Sequence, residues 1–90
     1  MTSKATRAFW RLYRALPDDV RRQARDAYRL FDQNPQHPGL RFKRVHPSQP
    51  ICSARVGARH RAVGILHGAT ITWFWIGDHD EYTRLLASIP

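Results

Sequence analysis

Apolar positions in the first third of the chain recur at helical spacing. Phe9, Leu12, Tyr13 and Leu16 stand at i, i+3, i+4 and i+7, with Arg7, Arg11 and Arg14 on the other side. The pattern predicts an amphipathic helix that Thr6 can cap. Leu16-Pro17 breaks it, and Asp18-Asp19 opens a second helix with its acids well placed at the N-terminus. Val20, Ala24, Ala27, Tyr28 and Phe31 form the apolar stripe of that second helix, so the two read as a helical hairpin. Asn34-Pro35 ends the hairpin and Pro35 to Gly39 reads as a loop. Met1 to Ala5 stays open between a short edge strand and a tail.

From Leu40 onward the period drops to two. Leu40 to Val45 alternates, with Leu40, Phe42 and Arg44 on one face and Arg41, Lys43 and Val45 on the other. After a loop at His46 to Pro50, strands are expected at Ile51 to Val56, Arg61 to His67 and Thr70 to Ile76, then a short helix at Thr83 to Ser88. The fold class is therefore α+β: an N-terminal helical hairpin packed on a three- to four-stranded antiparallel sheet, with a short C-terminal helix.

The turns suggest registers. Gly68-Ala69 suits a two-residue hairpin loop with Gly first, which pairs Leu66 with Ile71, Gly64 with Trp73 and Ala62 with Trp75. Each Trp then faces a small residue, both rings pack on the helices, and Arg61 looks out from the opposite face. In the preceding hairpin a three-residue loop, Gly57 to Arg59, places Arg55 opposite Arg61, whereas a two-residue loop, Ala58-Arg59, separates them. The paired arrangement is favoured here, and two adjacent guanidinium groups repel unless an anion lies between them.

Composition sharpens this. Ninety residues make one small domain with a single core, and the net charge of +8 points to an anionic partner. All but Lys4 and Lys43 of the 15 cations are Arg, whose planar fork suits phosphate or carboxylate. Arg41, Lys43, Arg44, Arg55, Arg59 and Arg61 lie between Gln33 and Gly77, a segment with no acid at all. Cys52 stands alone, and His37, His46, His60, His67 and His79 lack helical metal-ligand spacing, so neither a disulfide nor a metal site is expected. The acid-free stretch Lys4 to Arg14 resembles a transit peptide in composition, but its apolar residues fit the core. No apolar run is long enough for a membrane span or signal sequence, which leaves a reducing cytosol as the simplest location.

The run Ile71 to Ile76 is β-branched and aromatic throughout, as a central strand requires. It ends at Gly77 and delivers Asp78, His79, Asp80, Glu81 and Tyr82, either as held chemistry or as a solvated strand-to-helix turn.

At this point the chain resembles the RelE/ParE superfamily of toxins from type II toxin–antitoxin systems. The resemblance rests on Phe9…Tyr13…Leu16-Pro17, Leu40-Arg-Phe-Lys-Arg-Val45, Ser53-Ala-Arg-Val-Gly57, His60-Arg-Ala-Val63 and Trp73-Phe-Trp-Ile-Gly-Asp-His-Asp-Glu-Tyr82, and covers nearly the whole of residues 1–90 as one toxin domain. It implies a basic concave sheet face opposite the helical hairpin. Most characterised RelE-like members cut messenger RNA in the ribosomal A site, and the ParE branch poisons DNA gyrase. Lys43, Arg55 and Arg61 match the basic strand residues of the RNA-cutting branch, His79 matches a His near the C-terminus of several of its enzymes, and Tyr82 approximates a nearby Tyr. Some members place a catalytic Glu near the first sheet strand. Pro38 to Arg44 holds no acid, so the resemblance names no general base here.

RNA can be cut without metal or cofactor when its own 2′-OH attacks the neighbouring phosphate; the protein moves protons and stabilises charge at phosphorus. Arg55 and Arg61 suit the charge, or serve only to bind backbone; Lys43, Arg41, Arg44 and Arg59 are electrostatic footing on RNA. His79 reads as an acid–base group, against a helix-capping or partner-binding His, and Tyr82 as a proton donor or stacking platform, against packing under the terminal helix. Trp73 and Trp75 read as core, and Trp10 as a surface residue of the first helix. Resemblance and charge together imply two partners: a small acidic antitoxin that covers the basic face in a hetero-oligomer, and messenger RNA on the ribosome. The competing functions are non-enzymatic inhibition of gyrase and a basic nucleic-acid-binding module.

Overall fold

Thr6 ends its preceding strand in extended backbone, and its Oγ1 accepts a hydrogen bond from the Phe9 N–H at 3.1 Å, which starts the first helix where the sequence places it. In the computed structural model, which describes residues 1–90, the order is β1 Thr2–Ala5, α1 Arg7–Arg14, α2 Asp18–Gln33, a 3-10 turn Pro38–Leu40, β2 Lys43–Arg44, β3 Ile51–Val56, β4 His60–His67, β5 Thr70–Asp78 and α3 His79–Ser88. The strands form one sheet in the order β1-β5-β4-β3-β2, an α+β architecture. The open N-terminal segment is a strand. It adds a fifth member to the expected sheet and runs parallel to β5, so the sheet is mixed.

α1 packs on β5 and α2 on β3, over a core of Phe31, Cys52, Ala54, Ala62, Ile71 and Trp73. Leu40, only 1% exposed, closes that core from the 3-10 turn. The turn also trims the strand expected at Leu40 to Val45, because Arg41 leaves it in a left-handed conformation (φ 46°) and only Lys43 and Arg44 pair with β3. The expected facing survives: Phe42 joins the hairpin core, whereas Val45 packs on the other face. Tyr28 departs from its stripe and stands half exposed on α2.

The β4–β5 hairpin turns at Gly68, whose φ of 61° suits the first position of a two-residue loop. Leu66 meets Ile71 and Gly64 meets Trp73, as expected. The next pair corrects the sequence reading. Val63 lies opposite Trp75 and Ala62 opposite Ile76, so Phe74 is an extra residue in a β-bulge. One added residue reverses the alternation beyond it. Ile76 therefore joins Trp73 under the helical hairpin, whereas Trp75 turns to the far face with Phe74.

That far face carries a second, smaller core. Ile51, Val63 and Tyr82 are buried there, with Leu85, Leu86 and Ile89 of α3 and its end packed over them. The helix expected at Thr83 to Ser88 starts earlier, at His79. Asp78 caps it by accepting from the Glu81 N–H at 2.8 Å, while Glu81 accepts from the Asp78 N–H at 3.1 Å. At its other end His46 Nε2 meets the Pro90 carbonyl at 2.8 Å, tying the chain end to the β2–β3 loop. α3 thus crosses the sheet from the end of β5 toward β2 and leaves one corner of the face, at the β3–β4 turn, uncovered.

Candidate nucleic-acid interface

The uncovered corner is built by the β3–β4 hairpin. Its loop is the three-residue one, Gly57 to Arg59, with Gly57 at φ 59°. This sets Val56 opposite His60 and Arg55 opposite Arg61. Side chains two positions apart along a strand share a face. Ser53 and Val63 belong to the α3 side, so Arg55 and Arg61 look to that side as well. Lys43 lies opposite Ser53 and faces the same way, exposed at the edge. On the neighbouring strand Gly77 lies opposite Arg61. A Cβ there would come within 2.6 Å of the Trp75 ring, so the indole lies over bare backbone in the row next to Arg61.

Both guanidinium groups are half-buried and anchored on main chain. Arg55 Nε donates to the Gly57 carbonyl at 2.9 Å, and one Arg61 amino group donates to the His60 carbonyl at 3.0 Å. Neither takes a carboxylate partner; the two ion pairs of the molecule, Arg21–Asp18 and Arg29–Asp26, are both on α2. Two Arg at paired positions, neither bonded to a carboxylate, can share an anion between them. Arg55 also borders a shallow hollow with Gln23 and Asp26 of α2, so it stands at the sheet's edge as well as on its face.

His79 comes to this corner from α3. It is the first residue of that helix, its side chain is exposed, and its N–H donates to the Arg59 carbonyl at 2.8 Å. The Asp78–Glu81 capping box fixes the turn that carries it. Tyr82 sits one helical turn further in, its ring 6.0 Å from that of His79, and is buried. Its hydroxyl donates to Ser53 Oγ at 3.2 Å inside the second core, the packed arrangement under the terminal helix.

The remaining cations spread apart. Arg59 is exposed at the hairpin tip and Arg41 at the left-handed position after the 3-10 turn. Arg44 lies opposite Cys52, on the side of the helical hairpin, and donates to the Gln49 carbonyl at 3.1 Å. Burial pushes the Cys52 thiol above its ordinary value, an effect that the Arg44 charge partly offsets. Nowhere do three His, Cys, Asp or Glu side chains gather as metal ligands. The sequence reading missed Trp75 as a neighbour of Arg61, because the bulge that turns it has no signature in the residue pattern. It also missed the capping box, which Asp78-x-x-Glu81 does announce.

Residues 18–84 match the family model described as a ParE-like toxin domain. The chain belongs to the ParE-like toxin family. No curated protein matches the toxin by sequence. Solved structures match its fold. The RelB–RelE antitoxin–toxin complex from Methanococcus jannaschii superposes with a TM-score of 0.73 at 13% identity, covering 91% of this chain and 96% of the other. YafQ from E. coli gives 0.71 at 10% identity, with 89% and 94% covered. A YoeB/ParE toxin from Agrobacterium tumefaciens gives 0.68 at 18%, with 88% and 99% covered. The toxin is thus a member of the RelE/ParE superfamily, with an α+β fold of that kind. No helix of it is long and apolar enough to cross a membrane.

Proposed function

We propose that this toxin is a cytoplasmic endoribonuclease that cuts messenger RNA on the ribosome, without metal, at the corner formed by Arg55, Arg61 and His79. The observation that carries the reading is the Arg55–Arg61 pair on one sheet face, with His79 held next to it through the Arg59 carbonyl. In the reaction, the 2′-oxygen forms a bond to the adjacent phosphorus and the bond from phosphorus to the 5′-oxygen breaks. The products are a 2′,3′-cyclic phosphate and a free 5′-hydroxyl. Arg55 and Arg61 meet the phosphate oxygens as charge builds on them. His79, the imidazole held at this corner, takes up the 2′-proton, and the 5′-oxygen leaves with a proton from water. Lys43 contributes affinity from the edge, and the indole of Trp75 gives a base beside the phosphate an apolar surface. A small acidic antitoxin opposes the reaction by covering this face.

The test is single-turnover cleavage on programmed ribosomes beside a binding measurement. His79→Ala should lower cleavage by about 10²–10⁴-fold at nearly unchanged ribosome affinity. Arg61→Ala should weaken both, because the same guanidinium meets the ground state and the transition state. Full cleavage by His79→Ala removes this residue from the mechanism. A second reading, gyrase inhibition, is favoured by the ParE-like family match and by α3 lying across the sheet face. A DNA supercoiling assay in parallel decides: inhibited supercoiling with no RNA cleavage selects it.

A further inference from the structure

β3 is covered along only part of its outer edge, because β2 pairs with it at Cys52 and Ser53 and no further. The Val45 N–H donates to the Ile51 carbonyl at 2.9 Å. Main-chain groups alternate in direction along a strand, so those of Ser53 and Arg55 also point outward from the sheet. In this register the partner of Arg55 would be Arg41, which its left-handed conformation takes out of the strand. The N–H and C=O of Arg55 therefore stand side by side at a free edge. Arg55 also borders the hollow between that edge and α2, which has a volume of about 270 Å³. Leu30 and Leu40 give the hollow an apolar wall, and Gly57 presents bare backbone. The Gln23 amide lies against that glycine, where a Cβ would come within 2.3 Å of its oxygen. Asp26 completes the rim. Its Oδ1 accepts from Arg29 at 2.8 Å, and its Oδ2 takes no protein hydrogen bond.

We infer that this hollow reads a guanine base of the RNA strand whose phosphate lies at Arg55 and Arg61. That an RNA strand is there rests on the proposed function; the choice of base rests on the hollow. Main-chain groups at a strand edge lie in the plane of the sheet, between its two faces. A nucleotide with its phosphate on the α3 side reaches them by turning its base over the free edge at Arg55. Along its pairing edge guanine offers an acceptor, O6, and then two donors, N1–H and N2–H. The hollow offers the complement: the Arg55 N–H to give, the Arg55 C=O to accept and the Asp26 carboxylate to accept again. Uracil and cytosine would bring their O2 against the carboxylate, and adenine has only a C–H at that place. A peptide strand fits the edge less well. Ala54 and Val56 turn their main-chain groups to β4, and Gly57 begins the turn, so an added strand gains one rung at Arg55 and no more.

The experiment uses the full chain and short uridine oligonucleotides that carry one internal guanosine, inosine, adenosine or cytidine. All are 2′-O-methylated, so none can be cleaved, and binding is followed by fluorescence anisotropy. The guanosine strand should bind about tenfold more tightly than the inosine strand, which lacks only the N2 amino group and so the bond to a charged acceptor. Adenosine and cytidine strands should bind no better than inosine. Asp26→Ala, at an exposed position of α2, should bring the guanosine and inosine strands to equal affinity. Asp26→Asn, which still accepts a hydrogen bond, should restore part of the difference. Arg29→Ala removes the other partner of Asp26 and should leave the preference in place. Equal affinity of the parent for guanosine and inosine strands, a preference that survives Asp26→Ala, or no saturable binding of any strand at millimolar concentration overturns the proposal. The readout contains no cleavage step, so failure of the His79 mechanism and failure of the guanine hollow are seen separately.

Discussion

Small residues decide where the large ones go. A Cβ added at Gly64 would come within 2.9 Å of both the Ile71 side chain and the Thr72 carbonyl oxygen, and backbone cannot yield as a side chain does. Gly64→Ala should therefore destabilise the fold by about 1–3 kcal/mol, read as a lower urea midpoint at unchanged slope. An unchanged midpoint would mean that β5 shifts freely at its bulge. The pairing of Gly64 with Trp73 was legible from the turn length and the large-against-small match. The fate of Trp75 was not, since an extra residue in a strand reverses facing without changing composition. Tyr82 shows the same limit: one residue type serves as a proton donor or as a packed ring, and the bond to Ser53 favours the packed ring. Tyr82→Phe should lower stability by about 0.5–1.5 kcal/mol, leaving cleavage on ribosomes intact. Loss of cleavage at unchanged stability would bring Tyr82 back into the chemistry.

The helical hairpin was legible because spacing, the Thr6 cap and the Leu16-Pro17 break agree over several turns. α3 was half legible: its apolar residues marked Thr83 to Ser88, but its first turn depends on the capping box. That turn carries His79, so the cap is a device of the site as much as of the helix. Asp78→Ala leaves the N–H of Glu81 without its acceptor and should cost about 0.5–2 kcal/mol. Amide exchange should rise in the first turn of α3 and stay unchanged in α1 and α2. Asp78→Asn, which can still accept that hydrogen bond, should restore most of the protection. Equal exchange in the parent and Asp78→Ala would show that packing of Leu85 and Leu86, not the cap, holds the helix. The sequence left β1 open between an edge strand and a tail for a different reason. Its four residues gain a partner only through β5, where Ser3 lies beside Ile71 and Ala5 beside Trp73, and no local pattern announces a parallel pairing.

At the scale of the whole molecule the charges are sorted by element. The acids lie on α2 and at the start of α3, and the segment between Gln33 and Gly77 carries six cations and none of them. This sorting was readable in full from the sequence; which cations share a face was readable only once the hairpin loop length was known. Lys43 and Arg44 take opposite sides of the sheet by strand alternation alone, whereas Arg55 and Arg61 share a face only with the three-residue loop. If RNA lies on the α3 side, Lys43→Ala should reduce the slope of log affinity against log salt by roughly 0.7–0.9, the share of one neutralised phosphate. The loss should be largest at low salt, where surface charges are least screened. Arg11→Ala removes a cation from the exposed side of α1 and should leave that slope unchanged. Ribosome affinity measured over a salt series for both variants separates the cases. An equal fall in slope for Arg11→Ala would mean that the +8 charge acts on RNA diffusely, and the sheet face would lose its claim to be the interface.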